Sequence, residues 1–331
     1  MIRKPKNLKP EKPDAKEIQG IEYDPDKPVA TRKAYGHALT RIFPAYPDIV
    51  VLDAEVSNST YSEIFKEAYP DRFFEMYIAE QNMVGTALGF SRRGKIPFVS
   101  TFAAFFTRAF DQIRMSQYSD PNIKYVGSHA GVAIGEDGAS QMGLEDFAMF
   151  RTPLNSVVLY PSDAVSTEKL VEEATKHHGL VYIRTTRQAT PVIYTNKEEF
   201  PIGGSKVLRE STNDLVTVVA AGITLFEALS AYEELKKDGI SIRVVDLYSL
   251  KPVDSATLQE CAKITKAIIT VEDHFSEGGL GDAVKSSFTS LPVPFYCLSV
   301  TKMPRSGKPQ ELLDYEGISK NAIIKKIKEL I

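Results

Sequence analysis

Short apolar runs alternate with amphipathic helical stretches along nearly the whole chain, and this alternation constrains the fold more than any other feature. Runs at 49–52, 73–77, 96–100, 125–127, 156–160 and 180–184, and again at 216–220, 242–246, 268–271 and 295–298, are each short enough to be a strand buried on both faces. Strands that alternate with helices form parallel sheets, so the expected class is α/β with two domains, each a mainly parallel sheet flanked by helices. Ligands in such folds bind near the carboxyl ends of the strands.

Two domains follow from length, because 331 residues exceed what one hydrophobic core usually serves. Residues 1–28 mix lysines with Pro5, Pro10, Pro13, Pro25 and Pro28, which opposes regular structure and predicts an extended tail. The first domain is expected over 29–190. A connection follows at 191–205, where Pro191, Pro201, Gly203 and Gly204 interrupt any period. The second domain takes 206–331 and ends in a helix whose Ile323, Ile324 and Ile327 share one face, suited to covering the second sheet.

Composition narrows the function. Hydrophobic residues at 43% and charged residues at 25% are ordinary for a globular protein. A net charge of -3 and a pI near 6.0 argue against nucleic acid as a partner, though a local basic pocket remains open. Cys261 and Cys297 stand outside any metal-binding spacing and are read as apolar packing. No apolar run approaches membrane-spanning length, and the start of the chain carries lysine and proline where a signal peptide is apolar, so a cytoplasmic protein without membrane contact is expected.

Chemistry concentrates in a few strings. In Tyr77-Ile78-Ala79-Glu80-Gln81-Asn82-Met83 an apolar strand runs into a helix that opens on a carboxylate. A first-turn Glu has an ordinary explanation, the positive end of the helix dipole, and position alone does not separate that from a functional role. Phe102, Phe105, Phe106 and Phe110 lie at nearly helical spacing, which by itself describes a core stripe. Arg32 and Arg187 read on their own as solvated surface charges, and His129 as a structural histidine.

Taken together, Ala30-Thr31-Arg32-Lys33-Ala34-Tyr35-Gly36, Asn58-Ser59-Thr60, the Glu80 string, Ser100-Thr101-Phe102-Ala103-Ala104-Phe105-Phe106-Thr107-Arg108, Gly127-Ser128-His129, Gly135-Glu136-Asp137-Gly138-Ala139-Ser140-Gln141, Arg184-Thr185-Thr186-Arg187, Val271-Glu272-Asp273-His274 and Pro304-Arg305-Ser306-Gly307-Lys308-Pro309 resemble transketolase. The resemblance covers the carboxyl-terminal half of the usual chain, the pyrimidine-binding and C-terminal domains. It implies that Glu80 bonds N1′ of the aminopyrimidine of thiamine diphosphate and promotes the imino tautomer whose 4′ nitrogen removes the thiazolium C2 proton. Burial among apolar groups is expected to keep that carboxyl partly protonated. Phe105 is implied to stack on the pyrimidine, with Phe102 alongside. Arg32, Ser59, His129 and Arg187 match positions that clasp a sugar phosphate. Asp137 matches a reader of a sugar hydroxyl and Gln141 a position beside the reacting carbon. Glu55 stands where relatives commonly carry Asp, and its role stays open.

Family members hold the diphosphate through Mg²⁺ with a Gly-Asp-Gly string and a downstream Asn, and no Gly-Asp-Gly occurs here. The resemblance therefore implies that this chain supplies no metal ligand and works with an N-terminal transketolase subunit, as an α2β2 assembly sharing thiamine diphosphate. Two other readings stand beside it: the beta subunit of a 2-oxo acid dehydrogenase decarboxylase, which has no need of a phosphate clasp, and a non-catalytic interaction module.

Overall fold

The computed structural model describes residues 18, 20–291 and 293–331. The expected tail at 1–28 thus lies largely outside the described residues. Its described end is anchored: the Tyr23 hydroxyl donates to Glu168 at 2.8 Å, and its backbone N–H donates to Asn196 at 3.1 Å.

Fourteen strands occur among the described residues: β1 (Val29–Ala30), β2 (Ile49–Asp53), β3 (Phe73–Glu75), β4 (Ile96–Phe102), β5 (Ile123–Ser128), β6 (Val157–Leu159), β7 (Leu180–Arg184), β8 (Ala189–Thr190), β9 (Lys206–Arg209), β10 (Val216–Ala220), β11 (Ile242–Asp246), β12 (Ser249–Lys251), β13 (Ile268–Phe275) and β14 (Phe295–Val300). The expected α/β class is what the chain adopts. A seven-stranded sheet runs β12-β6-β7-β5-β4-β2-β3 and a five-stranded sheet β14-β13-β10-β11-β9, with every pairing parallel except those of the edge strands β12 and β9. Helices cover both sheets because the central strands are apolar on both faces, as in the wholly buried β2, β7, β10 and β11.

The two sheets share their packing. Strand β12 follows β11 in the chain yet pairs antiparallel with β6 of the first sheet, Ser249 facing Leu159. Lys251 then donates to the carbonyls of Arg151 and Pro153 at 2.8 and 2.6 Å. Residues of the connection at 191–205 are also tied down: the N–H groups of Ile193 and Tyr194 donate to Asp163, and the Tyr194 hydroxyl donates to Asp246 at 2.6 Å. Between the sheets Arg184, fully buried on β7, donates to Asp146 at 2.9 Å and to Asp273 of β13 at 2.5 Å.

The strand runs on past the apolar stretch at 268–271: His274 lies inside β13, buried, with Nε2 2.6 Å from Glu272. Charged residues extend this strand because each is matched: Asp273 by Arg184 across the interface, and Glu272 by His274 and the Gly281 N–H within the second domain. Of the cysteines, Cys261 is buried as apolar packing requires, whereas Cys297 is half-buried and donates to Glu272 at 2.7 Å. Among the described residues no helix is long and apolar enough to cross a membrane.

Candidate active site

Every candidate site residue lies on a segment that leaves a carboxyl end of the first sheet or stands at its β1–β8 clasp. The short helix Ser57–Thr60 after β2 carries Ser59, the loop after β3 leads to Glu80, β4 ends at Phe102, and His129 follows β5 directly. Arg32 and Arg187 are brought together by the two-residue ribbon in which Val29 pairs with Thr190 and Ala30 with Ala189. Two buried threonines fasten it: Thr31 Oγ1 lies 3.2 Å from Thr186 Oγ1 and accepts from the Thr186 N–H at 2.9 Å.

Arg32, Ser59, Phe102, His129, Asp137, Gln141 and Arg187 line one cleft of about 600 Å³. Asn58, which the sequence gives in the Asn58-Ser59-Thr60 string without a role, and Tyr61, which no string contains, complete it. The turn that presents Asn58 and Ser59 is organised by Asp53, buried at the end of β2, which accepts from the Val56 N–H at 2.7 Å and the hydroxyls of Thr60 and Ser62 at 2.7 and 2.8 Å. Burial pushes the Asp53 carboxyl up to about 6 despite those donors. Arg32 donates to the Ser59 carbonyl at 2.6 Å and lies 5.0 Å over the Tyr61 ring. Arg187 donates to the Ile134 carbonyl at 2.8 Å and stands 3.4 Å from Asp137. Two guanidinium groups thus face a single carboxylate, an excess of positive charge suited to an anion with several oxygens.

His129 adopts a left-handed backbone, φ 54°, which sends its ring onto Phe102 with centroids 3.8 Å apart and planes inclined by 14°. Its Nδ1 is 3.0 Å from the Ser128 hydroxyl. Burial, then the neighbouring Arg32 and Arg187, push the imidazole down to about 3, so it is neutral at physiological pH.

Beside the cleft, Phe102, Phe105 and Arg108 form a column. Residues 103–109 are a 3₁₀ helix rather than the α-helical stripe that the phenylalanine spacing suggests, and three residues per turn place side chains i and i+3 above one another. Phe102 and Phe105 stack with centroids 5.0 Å apart, and the Arg108 guanidinium caps Phe105 at 4.4 Å. Phe106 points into the core against Tyr125, Phe150 and Tyr182, and Phe110 starts the next helix.

Glu80 opens the helix Glu80–Arg92 and is only 4% exposed. The expectation of a carboxyl surrounded by apolar groups alone needs correction, because Arg108 donates to its Oε1 at 2.5 Å. Arg108 was part of a quoted string but received no role, and an i+3 reading from Phe105 is the signal that finds it. Glu55, with φ 60°, is exposed at the end of β2 and stands apart from the cleft lining. Among the described residues no group of three or more His, Cys, Asp or Glu side chains converges as a metal site.

Comparison with known proteins gives this geometry its context. The transketolase pyrimidine-binding domain model matches residues 27–192, and the transketolase C-terminal domain model matches 204–323. Mouse transketolase-like protein 2 is 55% identical over 306 residues, 92% of this chain and 49% of its own length, and human transketolase is 53% identical over the same span. The chain spans about half the length of these curated relatives. A solved split-gene transketolase, described as an inactive beta4 tetramer, superposes with TM-score 0.82 at 40% identity and covers 92% of this chain and 98% of that one. Campylobacter jejuni transketolase, 20% identical, shares the fold with TM-score 0.81 over 94% of this chain and 48% of its own. With both domain models in register and relatives more than half identical across nearly all of it, the chain belongs to the transketolase family.

Proposed function

We propose that this chain is the pyrimidine-binding subunit of a thiamine diphosphate-dependent transketolase, moving two-carbon ketol units from a ketose phosphate to an aldose phosphate together with a separate diphosphate-binding chain. The observation that carries the reading is the convergence of Arg32, Ser59, His129, Asp137, Gln141 and Arg187 on one cleft that abuts the Glu80–Phe105 column.

The residues present fit the aminopyrimidine end of the cofactor. A buried carboxylate at a helix start and a half-buried phenylalanine whose face already carries a flat cation offer a hydrogen-bond partner and a stacking surface for a planar heterocycle. When bound, thiamine diphosphate supplies the carbanion chemistry. Glu80 holds and exchanges a proton at its carboxyl oxygens, Phe102 and Phe105 exclude water and fix orientation, and Phe102 also backs His129. Arg32 and Arg187 bind the substrate phosphate by charge-assisted bonds, Ser59 and neutral His129 add directional contacts, and Asp137 and Gln141 orient hydroxyls near the reacting carbon.

Mg²⁺ and the diphosphate are assigned to a partner carrying a Gly-Asp-Gly string and a downstream Asn, in an α2β2 assembly. A split-gene relative matched almost end to end supports a two-chain enzyme. The arginine-lined cleft favours sugar phosphates over the small 2-oxo acids of a dehydrogenase beta subunit, and the intact constellation favours an enzyme over a binding module. The test is reconstitution with a transketolase diphosphate-binding chain, thiamine diphosphate and Mg²⁺. Ketol transfer from xylulose 5-phosphate to ribose 5-phosphate is expected from the mixture and not from this chain alone, and an inert mixture would refute the proposal.

A further inference from the structure

The loop that carries Asp137 and Gln141 leaves the first sheet after β5, yet its apolar side chains are packed in the core of the second domain. Val132, Ile134, Met142 and Leu144 share a buried cluster with Leu312 and Leu313 of the helix Pro309–Glu316 and with β10, β11 and β13. Two glycines let residues 306–309 come directly against the loop backbone. At Gly135, φ 86°, a Cβ would meet Pro309 Cδ at 3.2 Å and the Gly307 carbonyl at 3.3 Å, and at Gly138, φ 82°, it would meet Ser306 Oγ at 2.5 Å. Both the backbone angle and the close approach require glycine there. The far end of the loop is tied to β13 by the Phe275 N–H, which donates to the Leu144 carbonyl at 3.1 Å. On the opposite side Arg187 grips the Ile134 carbonyl.

We infer that the second domain is a positioning device for the substrate loop: residues 306–309 form a shelf that sets where Asp137 and Gln141 stand in the cleft. It selects among hydroxylated substrates without touching them. The inference rests on the reading of the cleft as a sugar-phosphate site. The physical ground is that a displacement of about 1 Å in a group that orients substrate is enough to cost catalysis heavily. The Glu80–Phe105 column stands on the segments after β3 and β4 rather than on residues 306–309, and it meets the loop at Gly143, which packs against Ala103 and Ala104.

Two variants outside the binding machinery test it. Ser306→Leu places bulk on an exposed position facing Gly138, and Pro309→Ala removes the ring beside Gly135 at a helix start that tolerates alanine. In the assembly with a diphosphate-binding partner, thiamine diphosphate and Mg²⁺, at least one variant is expected to raise KM for xylulose 5-phosphate by about fivefold or more, with cofactor Kd unchanged. The same variant is expected to speed amide hydrogen exchange at 132–141 in this chain. Unchanged KM and exchange in both variants overturn the inference, as does a parallel loss of cofactor affinity. A wild-type assembly without ketol transfer counts against the proposed function instead, and the exchange comparison alone then decides whether the shelf holds the loop.

Discussion

Arg108 binds Glu80 at 2.5 Å while its guanidinium lies 4.4 Å from the centre of the Phe105 ring, so one half-exposed side chain covers both the carboxyl and the aromatic face that the proposed function assigns to the pyrimidine of the cofactor. On the proposed function Arg108 yields when the cofactor enters. Replacing it by Arg108→Met in the reconstituted pair is expected to tighten thiamine diphosphate binding by roughly twofold to fivefold, the range that ~0.5–1 kcal/mol for such an ion pair corresponds to. A fluorescence titration measures this, and weaker binding would show that Arg108 holds the cofactor rather than its place.

Glu80→Gln keeps the shape of the side chain and removes its proton exchange. The variant should retain its thermal midpoint and slow exchange of the thiazolium C2 proton by roughly two or more orders of magnitude, the scale of a lost acid–base contribution. Proton NMR of quenched samples in D₂O reads the rate directly, and an unaltered rate removes Glu80 from the mechanism.

Arg187 faces both the cleft and the Ile134 carbonyl. Arg187→Ala is expected to raise KM for phosphorylated donors by roughly tenfold or more, as the loss of a charge-assisted contact implies, and to affect unphosphorylated hydroxypyruvate far less. Equal losses on the two donors would reject the phosphate clasp.

The buried His129 gives a pH signature. Its folded pKa of about 3 lies below the ordinary 6.5, so the unfolded chain takes up the proton first, and the stability tied to the neutral ring is lost as pH falls from about 6.5 towards 3. His129→Gln lacks this penalty. Urea midpoints at pH 7 and pH 5 should therefore shift in favour of the variant at the lower pH, and an unchanged difference would mean that the ring is not buried as a neutral group.

Local pattern made the parallel strands legible. The runs at 180–184, 216–220 and 242–246 coincide with β7, β10 and β11, because a strand apolar on both faces needs no partner to be recognised. Three features escaped for a common reason. Strand β12 and the β1–β8 ribbon are too short to show a period and exist only through distant pairing. The apolar run of β13 stops at Val271, but the strand continues through Glu272, Asp273 and His274, whose charges are matched by Arg184 and by one another. In the site, family resemblance named seven of the nine residues lining the cleft, whereas Arg108 became visible only once residues 103–109 proved to be a 3₁₀ helix.

Strand β12 has a practical meaning for anyone dissecting this molecule. A protease nick between 192 and 204 would sever the covalent tether, yet the downstream fragment would still own the edge of the upstream sheet, and the two pieces should co-purify as a clipped dimer of fragments. Expressed separately, the upstream piece would expose the raw flank of β6, a sticky border prone to self-association.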